Sequence, residues 1–188
     1  QLAHAGRKAS SATPWNGGML ILPEHGGWVP SAPSAVPHRA EEPAPRAMTE
    51  ADIHAVVAQF AAAAQRADRL GLEAIELHCA HGYLLHEFLS PVSNQRTDAY
   101  GGSLENRMRL PLAVFDAVRS AWPADKPLGV RLSASEWLEH TGRESWTLPQ
   151  TLRFAAELKA RGCDWIDASS GGISPEQKIA LGPAYQAH

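Results

Sequence analysis

Two histidines and a tyrosine fall within six residues of each other, in the segment His78-Cys79-Ala80-His81-Gly82-Tyr83. An imidazole N–H can donate a hydrogen bond to an oxygen that gains negative charge, and a phenol, with a free pKa of about 10, can deliver a proton. The spacing therefore indicates a pair of oxyanion donors with an acid beside them. A His-x-x-His pair is also compatible with zinc, with His4 or His86 as a further ligand, so a metal-dependent hydrolase stays open.

The elements that must position this segment alternate along the chain. Short apolar runs predict four strands, at residues 1–6, 73–78, 128–133 and 164–168. Apolar residues at helical spacing predict three helices between them. These helices are predicted to start at Thr49, near Ser103 and at Thr147, and to end near Gly71, Trp122 and Gly162. Thr49, with Asp52 three residues on, resembles a capping box.

Residues 11–47 show neither a strand period nor a helix period. They are rich in Pro, Gly, Ser and Ala, and they contain Trp15 and Trp28. We predict a long loop there, with a short hairpin around Gly26-Gly27. A disordered linker is the alternative, and the two tryptophans count against it.

The order of elements is typical of a parallel β/α protein. Each predicted strand ends in polar or titratable residues, namely His4, His78 with His81, Arg131 with Ser133, and Ser169 with Ser170. Polar groups at successive strand ends indicate a TIM (β/α)8 barrel more than a doubly wound sheet, and no G-x-G-x-x-G follows any strand. Four strands are half of such a barrel, so the predicted fold is a partial one.

Composition excludes some classes of function. The chain has 188 residues, a formal net charge of -3 and 44% hydrophobic residues. No basic block indicates nucleic acid as a partner, and no apolar stretch approaches the ~20 residues of a membrane span. Cys79 and Cys163 lie in apolar segments and are expected to be reduced and buried. With no signal peptide in residues 1–8, we expect a cytoplasmic protein.

The histidine segment belongs to a longer motif. It continues as H-E-F-L-S-P at residues 86–91 and N-Q-R-T-D-A-Y-G-G-S-L-E-N-R at residues 94–107. This block resembles the signature of the old yellow enzyme family, flavin-dependent ene-reductases built on a TIM barrel. Residues 1–8 resemble the family's third-strand segment, and residues 129–135 resemble its fifth. The combination of Lys8 with the two histidines is similar to the thermophilic-like branch of the family.

The resemblance implies catalytic and substrate-binding roles. His78 and His81 match the pair that hydrogen-bonds the substrate's carbonyl oxygen. Tyr83 matches the phenol associated with proton delivery, and Lys8 matches a further active-site residue beside the substrate. The implied substrate is an activated alkene such as an enone, which takes hydride at its β-carbon. Cys79, between the histidines, is expected to pack rather than to act as a nucleophile.

The resemblance also implies cofactors. Gln1 and Arg131 match residues at the pyrimidine edge of the flavin, and Lys8 is expected close to the same ring. FMN is the implied cofactor and NAD(P)H the implied reductant. A cationic Arg131 would stabilise the anionic reduced ring. From the residues alone, Arg131 could instead form a structural ion pair, and Lys8 could be a solvated loop charge.

The family's first two and last two strands, the latter with the flavin's phosphate contacts, have no counterpart in this sequence. We therefore expect residues 1–188 to be a partial flavin-binding TIM-barrel domain, covering about strands 3 to 6 and truncated at both ends. A catalytically silent half-barrel that needs a complementing half is the alternative function. The intact protein is expected to form a homo-oligomer.

Overall fold

Three parallel strands form the main sheet of the computed structural model, which describes residues 1–179. Residues 1–179 contain these three strands and two shorter ones. In chain order they are β1 (Ser31–Ala32), β2 (Arg46–Ala47), β3 (Ile75–Cys79), β4 (Leu128–Ser133) and β5 (Trp165–Ser169). The main sheet has the order β3-β4-β5, and β1 pairs with β2 inside the long loop. The helices are α1 (Glu50–Arg69), α2 (Leu84–Leu89), α3 (Leu104–Ala121) and α4 (Leu148–Ala160). Residues 180–188, at the C-terminal end where we predict a truncated domain, lie outside the described residues.

Local capping starts the long helices where the sequence predicts. At the start of α1, the Thr49 hydroxyl accepts from the Asp52 N–H and the Asp52 carboxylate accepts from the Thr49 N–H, so the predicted capping box is confirmed. Ser103 caps α3 through the Asn106 N–H. The β4 bounds match the prediction, whereas β3 begins two residues later than predicted and β5 one residue later.

The predicted first strand, residues 1–6, is wrong except at one position. Only Leu2 pairs with β3, donating to the Glu76 carbonyl at 2.8 Å and accepting from the His78 N–H at 2.9 Å. The extended segment ends there because the Gly6 N–H bonds the His4 imidazole instead of a neighbouring strand. A 3-10 turn over Gly6–Lys8 follows.

The predicted hairpin around Gly26-Gly27 is also wrong. Pro23 begins a 3-10 turn, and Gly26, at φ +88°, ends it. The antiparallel bridge of this loop joins Ser11 to Leu20 instead. The short helix α2 was not predicted, because all six of its residues are buried and it has no polar face that would show a helical period.

The two faces of the sheet have different roles. Side chains such as Leu77 and Val130 point to one face, where they are buried in the core with the helices. On the other face, Glu76, Gly129 and Trp165 are register partners. A Cβ at Gly129 would lie 1.9 Å from the Trp165 ring, so the glycine leaves room for the indole, which donates to Glu76 at 3.0 Å.

The same register continues toward the carboxyl ends of the strands. His78, Arg131 and Asp167 form the next row, and Ser133 pairs with Ser169 beyond it. Polar side chains therefore occupy successive rows of one sheet face, at the edge where a β/α protein places its chemistry. None of the helices in residues 1–179 combines the length and apolar character that a membrane crossing requires.

Candidate active site

Small-molecule sites usually have volumes of roughly 300–1,000 Å³, and a cavity of about 530 Å³ opens beside the carboxyl end of β3. Its lining residues are Gln1, Ala3, Ala5, Lys8, His78, His81 and Tyr83. The structure thus brings together every predicted site residue except Arg131. Arg131 lies next to the cavity, as the register partner of His78 on β4.

The three predicted catalytic side chains are in mutual contact. The ring centroids of His78 and His81 are 5.1 Å apart, with an interplanar angle of 77°. Those of His78 and Tyr83 are 5.0 Å apart at 71°. Both are edge-to-face arrangements within the distance range of interacting rings. His78 therefore lies between the second imidazole and the phenol.

The turn that carries His81 is backbone-strained. His81 has φ +60° and Gly82 has φ +73°, and a left-handed conformation costs a non-glycine residue about 1–3 kcal/mol. The Ser133 hydroxyl accepts from the His81 N–H at 3.0 Å and donates to the Gly171 carbonyl at 2.8 Å. A Cβ at Gly172 would lie 2.3 Å from the His81 Cα, so close packing also holds the turn.

Burial sets the protonation of both imidazoles. It lowers the pKa of His78, and the nearby charge of Arg131 lowers that pKa further. Burial, followed by His78 and Arg131, lowers the pKa of His81 to about 4. Both rings are therefore neutral at neutral pH, and each has one N–H to donate. The His81 Nε2 lies 2.5 Å from the Ser169 hydroxyl, and the buried His78 Nδ1 has no hydrogen-bond partner within residues 1–179.

Lys8 lines the cavity and contacts two loops beside it. Its Nζ donates to the main-chain oxygens of His81 at 2.8 Å and Gly172 at 3.1 Å, and it lies 5.2 Å from the centre of the Tyr83 ring. Burial lowers the pKa of Lys8. A partly buried ammonium with two carbonyl partners is not the solvated loop charge that we considered as the alternative.

The two residues expected at the flavin already contact acidic side chains. The Gln1 amide donates to the Glu76 carboxylate at 2.7 Å. The Arg131 Nε lies 3.2 Å from the Asp167 carboxylate, so the structure contains the ion pair considered for Arg131. The geometry of that contact leaves the buried Nε without a hydrogen bond among the described residues. The guanidinium therefore has one N–H that no described residue accepts.

The zinc hypothesis lacks a third ligand in the described part of the chain. Within residues 1–179, no three His, Cys, Asp or Glu side chains are grouped so that they could hold a metal ion. Of the two candidate ligands, His4 accepts from the Gly6 N–H, and His86 is turned toward Glu136. Burial raises the pKa of Cys79 strongly, which agrees with a packing role for its thiol.

Comparison with known proteins identifies the family. The model of the NADH:flavin oxidoreductase / NADH oxidase family matches residues 1–176. The chain belongs to this family. The resemblance to old yellow enzymes is therefore confirmed, and so is the assignment to an oxidoreductase family whose members use FMN with a nicotinamide nucleotide.

Individual family members show how much of the fold the chain contains. It is 50% identical to an NADH:flavin oxidoreductase of Gibberella zeae and 44% identical to an NADPH dehydrogenase of Geobacillus thermodenitrificans, covering 99% of this chain and 48% of each relative. The chain thus spans about half the length of the curated relatives that it matches.

Solved structures agree with the predicted architecture. A 2-naphthoyl-CoA reductase complex aligns with a TM-score of 0.77 at 28% identity, covering 95% of this chain and 27% of that one. Morphinone reductase aligns with a TM-score of 0.68 at 32% identity, covering 85% of this chain and 46% of that one. The fold is therefore that of part of a (β/α)8 barrel.

The donor set fits the ring edge of the family's FMN. The flavin's pyrimidine edge carries oxygens and nitrogens that accept hydrogen bonds. Arg131 presents a guanidinium on β4 beside His78, and Gln1, whose amide contacts Glu76, lines the cavity next to it. The buried Arg131 Nε without a hydrogen bond is the observation that supports this fit. Lys8 would be adjacent, because it lines the same cavity as Gln1.

Some residues of the site were not predicted as such. Asp167 lies two residues before Ser169 on β5. Because side chains alternate along a strand, the sequence could have placed both on the sheet face that carries His78 and Arg131. Glu136, fully buried beside His86, follows β4 in a loop with no pattern that predicts its contact. Glu87 is part of the family block, but only the structure shows its burial beside Arg7.

Proposed function

We propose that the whole protein is an FMN-dependent ene-reductase, which uses NAD(P)H to reduce an activated alkene such as an enone. One observation carries the proposal, namely that two neutral imidazoles and a phenol converge on one cavity at the carboxyl end of β3. Neutral N–H donors suit a carbonyl oxygen, and a phenol suits a carbon that must gain a proton. Family membership supports the redox chemistry.

His78 and His81 are proposed to bind the carbonyl oxygen of the substrate. Two donors on that oxygen withdraw electron density from the β-carbon and stabilise the negative charge that builds up on the oxygen. A preorganised donor of this kind lowers the activation barrier by roughly 2.7–4 kcal/mol. The strained turn at His81 supports the proposal, because fixed donors need no reorganisation during the reaction.

Tyr83 is proposed to deliver a proton to the carbon next to the carbonyl. FMN, when bound, supplies hydride transfer from NAD(P)H to the alkene. Gln1, Arg131 and Lys8 are proposed to orient its ring, and the charge of Arg131 would favour the reduced form. Cyclohexenone is a suitable probe, because it presents one carbonyl oxygen and one activated double bond.

The test uses the purified whole protein with added FMN. We expect a yellow complex that oxidises NADPH when cyclohexenone is present. Changing His78 or His81 to Ala should lower kcat/KM by about 10²–10³. His54→Ala, on the exposed face of α1, is the control and should leave it unchanged. A folded protein that binds no FMN, or that reduces no activated alkene, would refute the proposal.

The alternative function, a catalytically silent half-barrel, is tested on residues 1–188 alone. Stoichiometric FMN binding with turnover in a titration of this chain would rule the alternative out.

Two further expectations concern the whole protein. We propose that it forms a homo-oligomer, on the basis of the family resemblance, and light scattering of the whole protein tests this. The unpaired Cys79 and Cys163 support a location in the reducing cytoplasm.

A further inference from the structure

His86 and Glu136 form a buried pair that no step of the proposed reaction uses. Both side chains are 0% exposed, and the His86 Nε2 lies 3.1 Å from the Glu136 Oε1. His86 belongs to α2, and Glu136 lies in the loop that follows β4. Burial of two ionisable groups is costly unless each one is satisfied by a partner. Their other contacts show what the pair holds in place.

The hydrogen bonds of His86 fix its tautomer. The Gly82 N–H donates to the His86 Nδ1 at 2.9 Å, so this nitrogen carries no proton. The proton of the neutral ring must then be on Nε2, which faces Glu136. The His86 Nε2 and the Glu136 Oε1 lie 3.1 Å apart in an ion-pair contact that does not have the geometry of a hydrogen bond, and among residues 1–179 neither atom has a hydrogen-bond partner.

Glu136 is anchored in turn. Its second oxygen accepts from the Trp146 N–H at 2.8 Å, and Trp146 is itself 1% exposed. The Trp146 indole donates to Thr151 in the first turn of α4 at 2.7 Å. A continuous line of buried contacts therefore runs from Gly82 through His86 and Glu136 to α4.

The start of this line is the turn between two catalytic side chains. Gly82 separates His81 from Tyr83, and both Gly82 and His81 have left-handed backbone angles. A strained conformation persists only where its surroundings determine it. Ser133 holds the amide of His81, and His86 holds the amide of Gly82. Two consecutive amides are thus fixed by two different elements.

We propose that His86, oriented by Glu136, is a positioning residue that sets the directions of the His81 imidazole and the Tyr83 phenol. This inference deepens the proposed function and rests on it. His86 is not among the residues that line the cavity, and its proposed effect passes through the Gly82 amide. A small misplacement of catalytic groups can cost up to about 10²-fold in rate.

The tautomer is tested first, on the FMN-loaded whole protein without any substitution. Long-range proton–nitrogen correlation of histidine labelled with ¹⁵N distinguishes the Nε2–H ring from the Nδ1–H ring. We expect the Nε2–H form for His86 and slow hydrogen exchange at the Gly82 amide. An Nδ1–H ring, a ring with both nitrogens protonated, or a fast-exchanging Gly82 amide would overturn the inference, whether or not the protein reduces enones.

Glu136→Gln tests the function of the line. The amide keeps the volume of the carboxylate and one acceptor for the Trp146 N–H, but it removes the negative charge and the second oxygen that faces the His86 Nε2. We expect kcat/KM with cyclohexenone to fall about tenfold or more, faster exchange at Gly82, and FMN affinity within about twofold of the parent. Glu157→Gln, which alters a carboxylate paired with Arg161 at the end of α4, is the matched control.

A purely structural role predicts a different result. Glu136→Gln would then lower thermal stability while kcat/KM and the exchange at Gly82 stayed close to the parent values, and the inference would be wrong. If Glu136→Gln does not fold, His86→Asn provides the same comparison, since its oxygen can accept from Gly82 without reaching Glu136. Absence of enone reduction by the unsubstituted protein would refute the proposed function and leave the tautomer result interpretable.

Discussion

The ammonium nitrogen of Lys8 lies 2.8 Å from the main-chain oxygen of His81. It also reaches the carbonyl of Gly172 at 3.1 Å, so one side chain joins the first loop of the chain to the turn after β3 and the loop after β5. The neighbouring Arg7 donates to the Ile173 carbonyl at 2.6 Å. Two consecutive basic residues therefore bind carbonyls of the loop after β5, and Lys8 also binds the turn after β3.

Lys8→Met should lower the stability of the whole protein by about 1.5–3 kcal/mol, because it removes hydrogen bonds from a charged donor to two partly buried carbonyls. Methionine keeps most of the apolar stem, so lost packing contributes little. Urea denaturation at neutral pH measures the change. Lys8→Arg keeps a charged donor and should lose less. Equal stability of Lys8→Met and the parent would show that these contacts do not support the turn.

Tyr83→Phe should slow the reduction of cyclohexenone by about 10²–10⁴-fold if the phenol delivers the proton. The ring contact with His78 and the position before α2 do not depend on the hydroxyl, so FMN affinity and thermal stability should change little. Stopped-flow measurement of the reaction between the reduced protein and the enone isolates this step. An unchanged rate would assign proton delivery to another donor.

Local signals account for the part of the fold that the sequence predicts. The capping residues Thr49, Ser103 and Thr147 lie within three residues of their partners, so helix starts can be found without tertiary information. Likewise, β4 has apolar residues on its buried face and is bounded by Pro127. The six residues of α2 are buried on all sides, and a helix without a polar face leaves no periodic pattern.

The candidate site divides in a similar way. His78, His81 and Tyr83 are close in sequence, so their convergence follows from one motif. The contacts that hold them come from far along the chain, as with Ser133, 52 residues from His81, and Ser169, 88 residues from it. Such partners depend on strand register and loop packing, which no local pattern specifies. The ion pair of Arg131 with Asp167 is of the same kind.

Glu87→Gln should change how stability depends on pH. Burial raises the pKa of Glu87 to about 8 from its usual 4.5, against the opposing effect of the Arg7 charge. Between these two values the folded protein keeps a proton that the unfolded chain has released, so the free energy of unfolding falls as pH rises through the window. Glutamine resembles the neutral carboxyl and cannot ionise. The stability of the variant relative to the parent should therefore rise from pH 5 to pH 8.

Urea denaturation of the whole protein at several pH values measures this difference. His81, whose pKa is lowered to about 4, makes stability rise with pH below about 6.5, but it is present in both proteins and cancels. The control is Glu157→Gln, at a partly exposed carboxylate on α4, which should show no such trend. A pH-independent difference for Glu87→Gln would mean that Glu87 is already ionised in the folded protein.

Asp167→Asn should make the midpoint potential of bound FMN more positive. Asp167 lies 3.2 Å from the Arg131 Nε and partly neutralises a charge that is proposed to stabilise the reduced ring. Both side chains are more than a third exposed, so solvent screening limits the pair to about 0.5–1 kcal/mol. For a two-electron couple, at about 30 mV per 1.4 kcal/mol, this corresponds to roughly 10–20 mV.

Redox titration of the FMN-loaded whole protein measures the shift. Asp116→Asn, at an exposed carboxylate paired with Arg161, is the control, and an unchanged or more negative potential for Asp167→Asn would separate Arg131 from the flavin.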